Sequence, residues 1–201
     1  LVVDVKGLFT GLDNPIFAAI EMDYSAPGTS LGNRSVVLYE VEEGLNHVVR
    51  KAIQPTLKSA NLIVPVPGGV DGPGGFFVCG EGEVQYQRVG QDIAKDPPKS
   101  VQIPRRVDAP QGRSALIVSV AMNHRKTAKG TSLFFLLQSE NGDLFMLEPE
   151  FAPENPVLTA FSLRYFGTCP VAKSLCITKR GGLFLASEFG DHRSYRFREL
   201  G

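Results

Sequence analysis

The strongest constraint on the fold is an internal repeat in the second half of the chain. The pattern Ser-Glu-x-Gly-Asp occurs at Ser139–Asp143 and again at Ser187–Asp191, so the two copies are 48 residues apart. A looser copy, Gly80–Glu83, lies between two other apolar runs. Each copy joins two apolar segments through a glycine, which is typical of a β-hairpin turn with a positive φ. A period of ~40 to 50 residues built from strands is typical of β-propeller blades.

The polar residues of the repeat are interpreted as structural. Asp and Asn side chains in turns bond to nearby backbone amides, and this role accounts for their recurrence. The expected repeat-turn residues are Ser139, Glu140, Gly142, Asp143, Ser187, Glu188, Gly190 and Asp191.

Short apolar runs predict β-structure along the whole chain. The 21 glycines and 14 prolines interrupt nearly every window in which a helix would fit. The predicted strands are Pro15–Tyr24, Ser35–Val41, Leu62–Val66, Gly75–Cys79, Val84–Tyr86, Leu116–Ala121, Leu133–Gln138, Leu144–Leu147, Val171–Ile177 and Leu183–Ser187. The sequence therefore predicts an all-β chain without a long helix.

Residues 1–201 are expected to form part of one WD-repeat-like β-propeller domain. The repeat period predicts three to four blades, within a ring that we expect to hold seven. The blades are unequal, because residues 90–111 are predicted to be a polar, proline-rich loop insertion and residues 25–33 form a second polar stretch. Since the chain begins at Leu1 without a methionine or an apolar leader, we expect an excised segment of a longer protein.

The charge and the cysteine content limit the kinds of function that the chain can have. Lys plus Arg and Asp plus Glu both number 21, so no field of the whole chain attracts nucleic acid or an anionic membrane. The apolar stretches fall far short of the ~20 residues of a spanning helix. The three cysteines, Cys79, Cys169 and Cys176, lack the C-x-x-C spacing of zinc or redox sites, which favours reduced thiols in the cytosol or nucleus.

Residues near the second repeat copy have the side-chain types of a hydrolytic triad. Asp191, His192 and either Ser187 or Ser194 supply an acid, a base and a nucleophile, but the G-x-S-x-G elbow is missing. His192 also aligns with Leu144 of the first copy, which predicts a strand position after the turn. We therefore expect no catalytic residue here.

Metal and phosphate sites are also weighed and disfavoured. The repeat carboxylates are too sparse for a calcium loop. The glycine-rich segment Val66–Gly75 is followed by a strand and lacks the Lys-Ser or Lys-Thr of a phosphate loop, so it predicts a pair of turns. No metal and no cofactor are expected.

Two basic clusters are candidate partner-binding sites. Arg105–Arg106 follows Pro104 in a stiffened segment, where a partner contact and an ion pair between blades both remain open. The second cluster is interpreted as a loop before Leu133, either simply solvated or in contact with RNA, DNA or an acidic protein surface; its residues are His124, Arg125, Lys126 and Lys129. The full candidate set is Arg50, Lys51, Arg105, Arg106, Arg125 and Lys126. His47 is interpreted either as a packed strand residue or as part of an exposed face, and packing is preferred.

Longer strings resemble one protein family. The two most specific are GLNHVVRK at Gly44–Lys51 and FFLLQSENGDLF at Phe134–Phe145, neither of which is a general propeller pattern. The other strings are Asp13–Pro15, Glu21–Tyr24, Val66–Gly69, Asp71–Pro73, Ile103–Arg106 and Phe184–Asp191. Over nearly the whole chain they resemble the large propeller subunits of the splicing factor 3b complex (subunit 3, Rse-type), in the later blades of the first propeller.

The resemblance implies a non-catalytic scaffold in pre-mRNA splicing, located in the nucleus. The implied parent has three propellers and a helical C-terminal part, within the ribonucleoprotein that selects the intron branch site. The implied partners are a HEAT-repeat subunit and small accessory subunits of the complex, with indirect association to small nuclear RNA and pre-mRNA and none to membranes.

Two alternatives from other classes stay open. One is a propeller adaptor of the damaged-DNA-binding and ubiquitin-ligase type, or of the mRNA cleavage and polyadenylation type, since those subunits share the architecture. The other is a propeller enzyme whose site lies at a central channel, which requires acids, histidines or a metal on the innermost strands.

Overall fold

A computed structural model shows an all-β chain. It describes residues 1–25, 33–42, 44, 46–106, 114–127, 130–152, 155–188 and 190–198. Fifteen strands and one short 3-10 turn, Gly69–Asp71, are found in these ranges, and no α-helix is. The predicted fold class is confirmed.

The strands form four antiparallel sheets, each a meander in chain order. Sheet 1 contains β1 (Val2–Gly7), β2 (Ile16–Asp23), β3 (Asn33–Glu42) and β4 (His47–Pro55). Sheet 2 contains β5 (Leu62–Pro65), β6 (Phe76–Gly80), β7 (Glu83–Gln87) and β8 (Lys99–Gln102). Sheet 3 contains β9 (Ile117–Thr127), β10 (Gly130–Ser139), β11 (Asp143–Ala152) and β12 (Asn155–Thr168). Sheet 4 contains β13 (Ser174–Ile177), β14 (Gly182–Ala186) and β15 (Arg193–Arg196).

The three copies of the repeat occupy the same position in three sheets. Gly80–Glu83 joins the second and third strands of sheet 2, where Gly80 pairs with Glu83. Ser139–Asp143 joins the second and third strands of sheet 3, and Ser187–Asp191 joins those of sheet 4. Gly82, Gly142 and Gly190 all have a positive φ, as the hairpin prediction requires. The repeat therefore marks successive sheets of equivalent topology.

The chain divides into two compact units. The first unit is Leu1–Val101 with Phe151–Leu158, and the second is Gln102–Glu150 with Thr159–Gly201. Sheets 1 and 2 build the core of the first unit, and sheets 3 and 4 build that of the second.

The core of the first unit lies between facing surfaces of sheets 1 and 2. Its fully buried side chains include Ile20 and Leu38 from sheet 1 and Ile63 and Phe76 from sheet 2. Asp4 adds a polar link, because its Oδ2 accepts a hydrogen bond from the backbone N of Ile63 at 2.8 Å. Apolar burial and this bond hold the first two sheets together.

The core of the second unit is similar in kind. Leu136 and Leu144 of sheet 3 pack in one cluster with Leu183 and Leu185 of sheet 4. The fully buried side-chain amide of Gln138 lies in the same unit and bonds to backbone groups after β12, as described below.

One expectation about an outer segment is wrong, and two others are only partly covered by the described residues. His47 begins β4 and is exposed rather than packed. The predicted loop 90–111 contains β8, and its residues 107–111 lie outside the described ranges. Most of the polar stretch 25–33 also lies outside them. A search for apolar runs does not find strands whose side chains are mainly polar, because backbone hydrogen bonds to the neighbouring strand hold such strands in the sheet.

Across the residues with assigned positions, the structure contains no helix with the length and apolar character needed to cross a bilayer.

The three cysteines differ sharply in environment, which predicts their reactivity. Burial, with Asp4 as a second cause, raises the pKa of the fully buried Cys79 to about 12, and burial also raises the pKa of Cys169, whereas Cys176 is exposed. Since the thiolate is the nucleophile, iodoacetamide at about pH 8 is expected to modify Cys176 and to spare the other two until urea unfolds the chain. Mass spectrometry of the labelled peptides measures this. Equal labelling of Cys79 and Cys176 in the native protein would contradict the buried placement.

Candidate functional site

The repeat turn Ser139–Asp143 is a buried polar site. Ser139 is fully buried, and its Oγ accepts hydrogen bonds from the backbone N of Asn141 at 3.3 Å and of Asp143 at 3.2 Å. Gly142 has a φ of 82° and its carbonyl accepts a 2.9 Å bond from the backbone N of Cys169. The Ser139 hydroxyl thus satisfies two of the turn's own amides, a role that the sequence analysis gave to Asp and Asn side chains.

Asp143 connects this turn to the segment that precedes sheet 3. Its carboxylate is 6% exposed and accepts bonds from Arg106 Nη1 at 2.9 Å and from Thr168 Oγ1 at 2.7 Å. The Tyr165 hydroxyl lies 2.7 Å from the same Thr168 oxygen. A buried carboxylate needs such donors to offset its lost hydration. Of the two interpretations of Arg106, the geometry favours the ion pair over a partner contact.

Gln138 links the end of β10 to the connection after β12. Its Nε2 donates to the carbonyl of Pro170 at 2.9 Å and to Cys169 Sγ at 3.1 Å. Its Oε1 accepts a 2.8 Å bond from the backbone N of Ala172. The side chain therefore satisfies backbone groups of the connection between β12 and β13.

The second repeat turn is open by comparison. Glu188, Gly190 and Asp191 are exposed, and no atom lies within 4 Å of where a Cβ of Gly190 would stand. His192 precedes β15, so its predicted strand position is wrong, and its Nδ1 accepts a 3.2 Å bond from the backbone N of Ser187. This bond gives His192 a turn-closing contact in place of the hydroxyl contact that a triad requires.

Arg50 and Lys51 lie on β4 and are half-exposed. The Arg50 guanidinium is 3.1 Å from Glu21 Oε2 and lies 5.8 Å from the centre of the Tyr39 ring. Lys51 pairs with Glu40, which also accepts a 2.8 Å bond from Asn14 Nδ2. The hydrogen bond from Lys51, followed by that from Asn14, holds the pKa of Glu40 below its ordinary value. Both cations are thus already paired with carboxylates of sheet 1.

Arg125 and Lys126 lie in a strand rather than in the predicted loop. They belong to β9, where Arg125 pairs with Ser132 and Lys126 with Thr131 of β10. His124 lies in the same strand opposite Leu133, and Lys129 is outside the described residues. Arg105 is exposed beside Arg106 in the segment after β8. The six predicted cations therefore do not form one site.

Sequence analysis missed the strongest basic cluster. Arg180, Arg196 and Arg198 line one groove together with Arg125. Arg180 lies in the β13–β14 turn, Arg196 at the end of β15 and Arg198 just after it, while Arg125 comes from the distant strand β9. No local motif marks them, because the fold alone brings them together.

The two other candidate ligand sites are the glycine-rich segment and a metal-binding cluster. Val66–Gly75 forms the 3-10 turn and bends between β5 and β6, as the turn interpretation predicted. Within the described ranges, no three His, Cys, Asp or Glu side chains come close enough to hold a metal ion.

Comparison with known proteins gives the family. The family model described as "RSE1/DDB1/CPSF1 first beta-propeller" matches residues 2–201. Spliceosome-associated protein 130 A of Arabidopsis thaliana is 42% identical over 97% of this chain. Pre-mRNA-splicing factor RSE1 of Pyricularia oryzae is 42% identical, and Splicing factor 3B subunit 3 of Drosophila melanogaster 37% identical, each over 100% of this chain.

These relatives are much longer proteins, since the chain spans only 16% to 17% of their lengths. The similarity nevertheless covers all four sheets. It includes the equivalent hairpins formed by the sequence repeat, from which propeller blades were predicted. The fold prediction of a partial β-propeller is confirmed, and the chain belongs to the RSE1/DDB1/CPSF1 first beta-propeller family.

Proposed function

We propose that this chain is part of a non-catalytic propeller scaffold that acts in pre-mRNA splicing in the nucleus. The observation that carries the proposal is identity of 37% to 42%, over 97% to 100% of the chain, to proteins named as splicing factors. Its partners, on this proposal, are the HEAT-repeat subunit and the small accessory subunits of the splicing factor 3b complex.

The chemistry of the polar sites supports a scaffold. Three buried polar side chains of the second unit, Gln138, Ser139 and Asp143, bond to turns and connections of the same unit. Arg106 likewise serves the fold through Asp143. These groups stabilise loop conformations between strands, which is what a surface for protein recognition requires.

The candidate contact residues separate into two groups on this view. Arg50 and Lys51 pair with carboxylates of their own sheet, and Arg106 ties the segment after β8 to Asp143 of sheet 3. Arg125 is exposed and faces the groove described above. We infer that Arg125 is the residue of the predicted set that contacts a partner protein.

Affinity purification from nuclear extract tests the proposal. The full-length protein that carries this chain, tagged and expressed at its natural level, is expected to recover the HEAT-repeat and small subunits of the splicing factor 3b complex. Recovery should survive ribonuclease treatment, because the proposed contacts are between proteins. Recovery of cullin-ligase subunits or of cleavage and polyadenylation subunits in their place would contradict it.

A further inference from the structure

Four arginines of the second unit line one open groove, which we call the arginine groove. Its volume is about 680 Å³, and its lining is Arg125, Arg180, Gly181, Arg196, Phe197 and Arg198. All four arginine side chains are exposed. The groove lies where the β13–β14 turn meets the end of β15, so its shape is set by sheets 3 and 4.

Within the described residues, the groove brings together four arginines that have no carboxylate partner, whereas Arg34 and Arg193, which also have none, lie outside it. Arg50, Arg88, Arg106 and Arg164 each lie within 3.1 Å of a carboxylate. Among the residues that the structure describes, none places a carboxylate within ion-pairing distance of the groove arginines. The four arginines of the groove therefore concentrate positive charge in one place of a chain whose net charge is +0.

An apolar cavity adjoins the arginine groove. It has a volume of about 410 Å³ and shares Arg196, Phe197 and Arg198 with the groove. The rest of its lining includes Leu144, Phe166, Cys169 and Leu183. Such a space between two sheets is large enough to hold a bulky side chain.

We propose that the groove and the cavity together form a docking site for an acidic segment of a partner protein that carries one bulky apolar side chain. This deepens the proposed scaffold function and rests on it. The guanidinium groups bind carboxylates through paired hydrogen bonds, and the apolar side chain is buried against Phe166 and Leu183. The charges orient the segment while the buried side chain anchors it.

The geometry favours a protein segment over single-stranded RNA. RNA recognition of this kind uses exposed aromatic faces on which bases stack. The one aromatic of the groove, Phe197, is partly buried and packs against Phe166 with ring centres 5.9 Å apart. The adjoining space is lined mainly by apolar side chains, among them Leu144, Leu183 and Phe166, which suit a leucine or phenylalanine anchor. Its two exposed aromatics, Phe166 and Tyr195, are the groups that the oligouridine probe below tests.

A binding experiment with defined probes tests the site. The full-length protein is titrated into a fluorescent peptide of glutamates and aspartates with one central phenylalanine. We compare it with a charge-reversed groove variant, Arg125→Glu, Arg180→Glu and Arg196→Glu. The matched control is Lys58→Glu, Lys173→Glu and Arg193→Glu, three exposed cations outside the groove that carry the same change in net charge.

The groove variant is expected to bind the acidic peptide at least about tenfold more weakly, with the control within about twofold of the parent. Replacing the peptide's phenylalanine by serine should weaken binding to the parent several-fold. If the triple variant fails to fold by circular dichroism, Arg180→Gln in the exposed turn replaces it, with an expected loss of about threefold.

Three results would overturn the assignment. The parent failing to bind the acidic peptide is one, and equal weakening by the control variant is another. The third is tighter binding of an oligouridine probe that the groove variant abolishes, which would make the groove an RNA surface. None of these results bears on recovery of splicing subunits, so failure of the docking site and failure of the scaffold role are distinguishable.

Discussion

Gly142→Ala is expected to lower the free energy of unfolding by about 3 kcal/mol or more. The residue has a φ of 82°, a region that costs an L-residue about 1–2 kcal/mol. A Cβ here would also overlap the carbonyl oxygen of Cys169, and relieving such an overlap costs about 1–3 kcal/mol. Because Gly142 also accepts the backbone bond from Cys169, the overlap strains the link between the turn and β12. Urea denaturation followed by circular dichroism measures the change.

The other repeat copy supplies the matched control for this substitution. Gly190 has a φ of 92° but open space around its missing Cβ. Gly190→Ala therefore carries only the backbone cost of about 1–2 kcal/mol. Equal destabilisation by the two substitutions would show that the contact with Cys169 contributes nothing.

Phe76→Ala is expected to destabilise the first unit by about 3 to 5 kcal/mol. Phe76 is fully buried between sheets 1 and 2, with Ile20, Leu38 and Ile63 in the same cluster. Its loss removes apolar burial and leaves a cavity that strands on both sides are too rigid to fill. The midpoint of urea denaturation should fall accordingly, measured by circular dichroism.

Phe9→Ala tests whether the effect comes from burial. Phe9 belongs to the same unit and is 54% exposed. Removing the same side chain there should change stability by less than about 1 kcal/mol. A loss comparable to that of Phe76→Ala would argue against the packing between sheets 1 and 2.

The predictable part of the fold is the part that is apolar. Strands such as β2, β6 and β10 contain runs of buried side chains, and their positions follow from the sequence. Strands β1, β4 and β8 are largely exposed and were missed. Strand β12 was missed as well, although it contains the buried side chains Leu158, Phe161 and Leu163. The register of the exposed strands is imposed by a neighbouring strand, for example by β2 on β1, and a pattern of side chains alone does not carry that information.

The candidate functional residues also divide into those that the sequence predicts and those that only the fold brings together. The repeat turns were predictable because each turn is local: a glycine with a positive φ closes it, and in the first copy Ser139 bonds to amides within five residues. The arginine groove was not, because Arg125 and Arg196 are 71 residues apart and meet only after sheets 3 and 4 pack. For the adjacent residues Arg105 and Arg106 the sequence left a partner contact and an ion pair both open, and only the fold brings Asp143 beside Arg106.

The contrast between the two repeat turns indicates where a reporter group can be attached. Glu188 and Gly190 project from a hairpin with open surroundings, so a fluorophore or short epitope introduced there meets no packed neighbour. The same insertion at Asn141 or Gly142 would displace Cys169 and the side chains that bond to Asp143. Assembly with partners is thus best followed by labelling the second turn, at the end of sheet 4 away from Arg180.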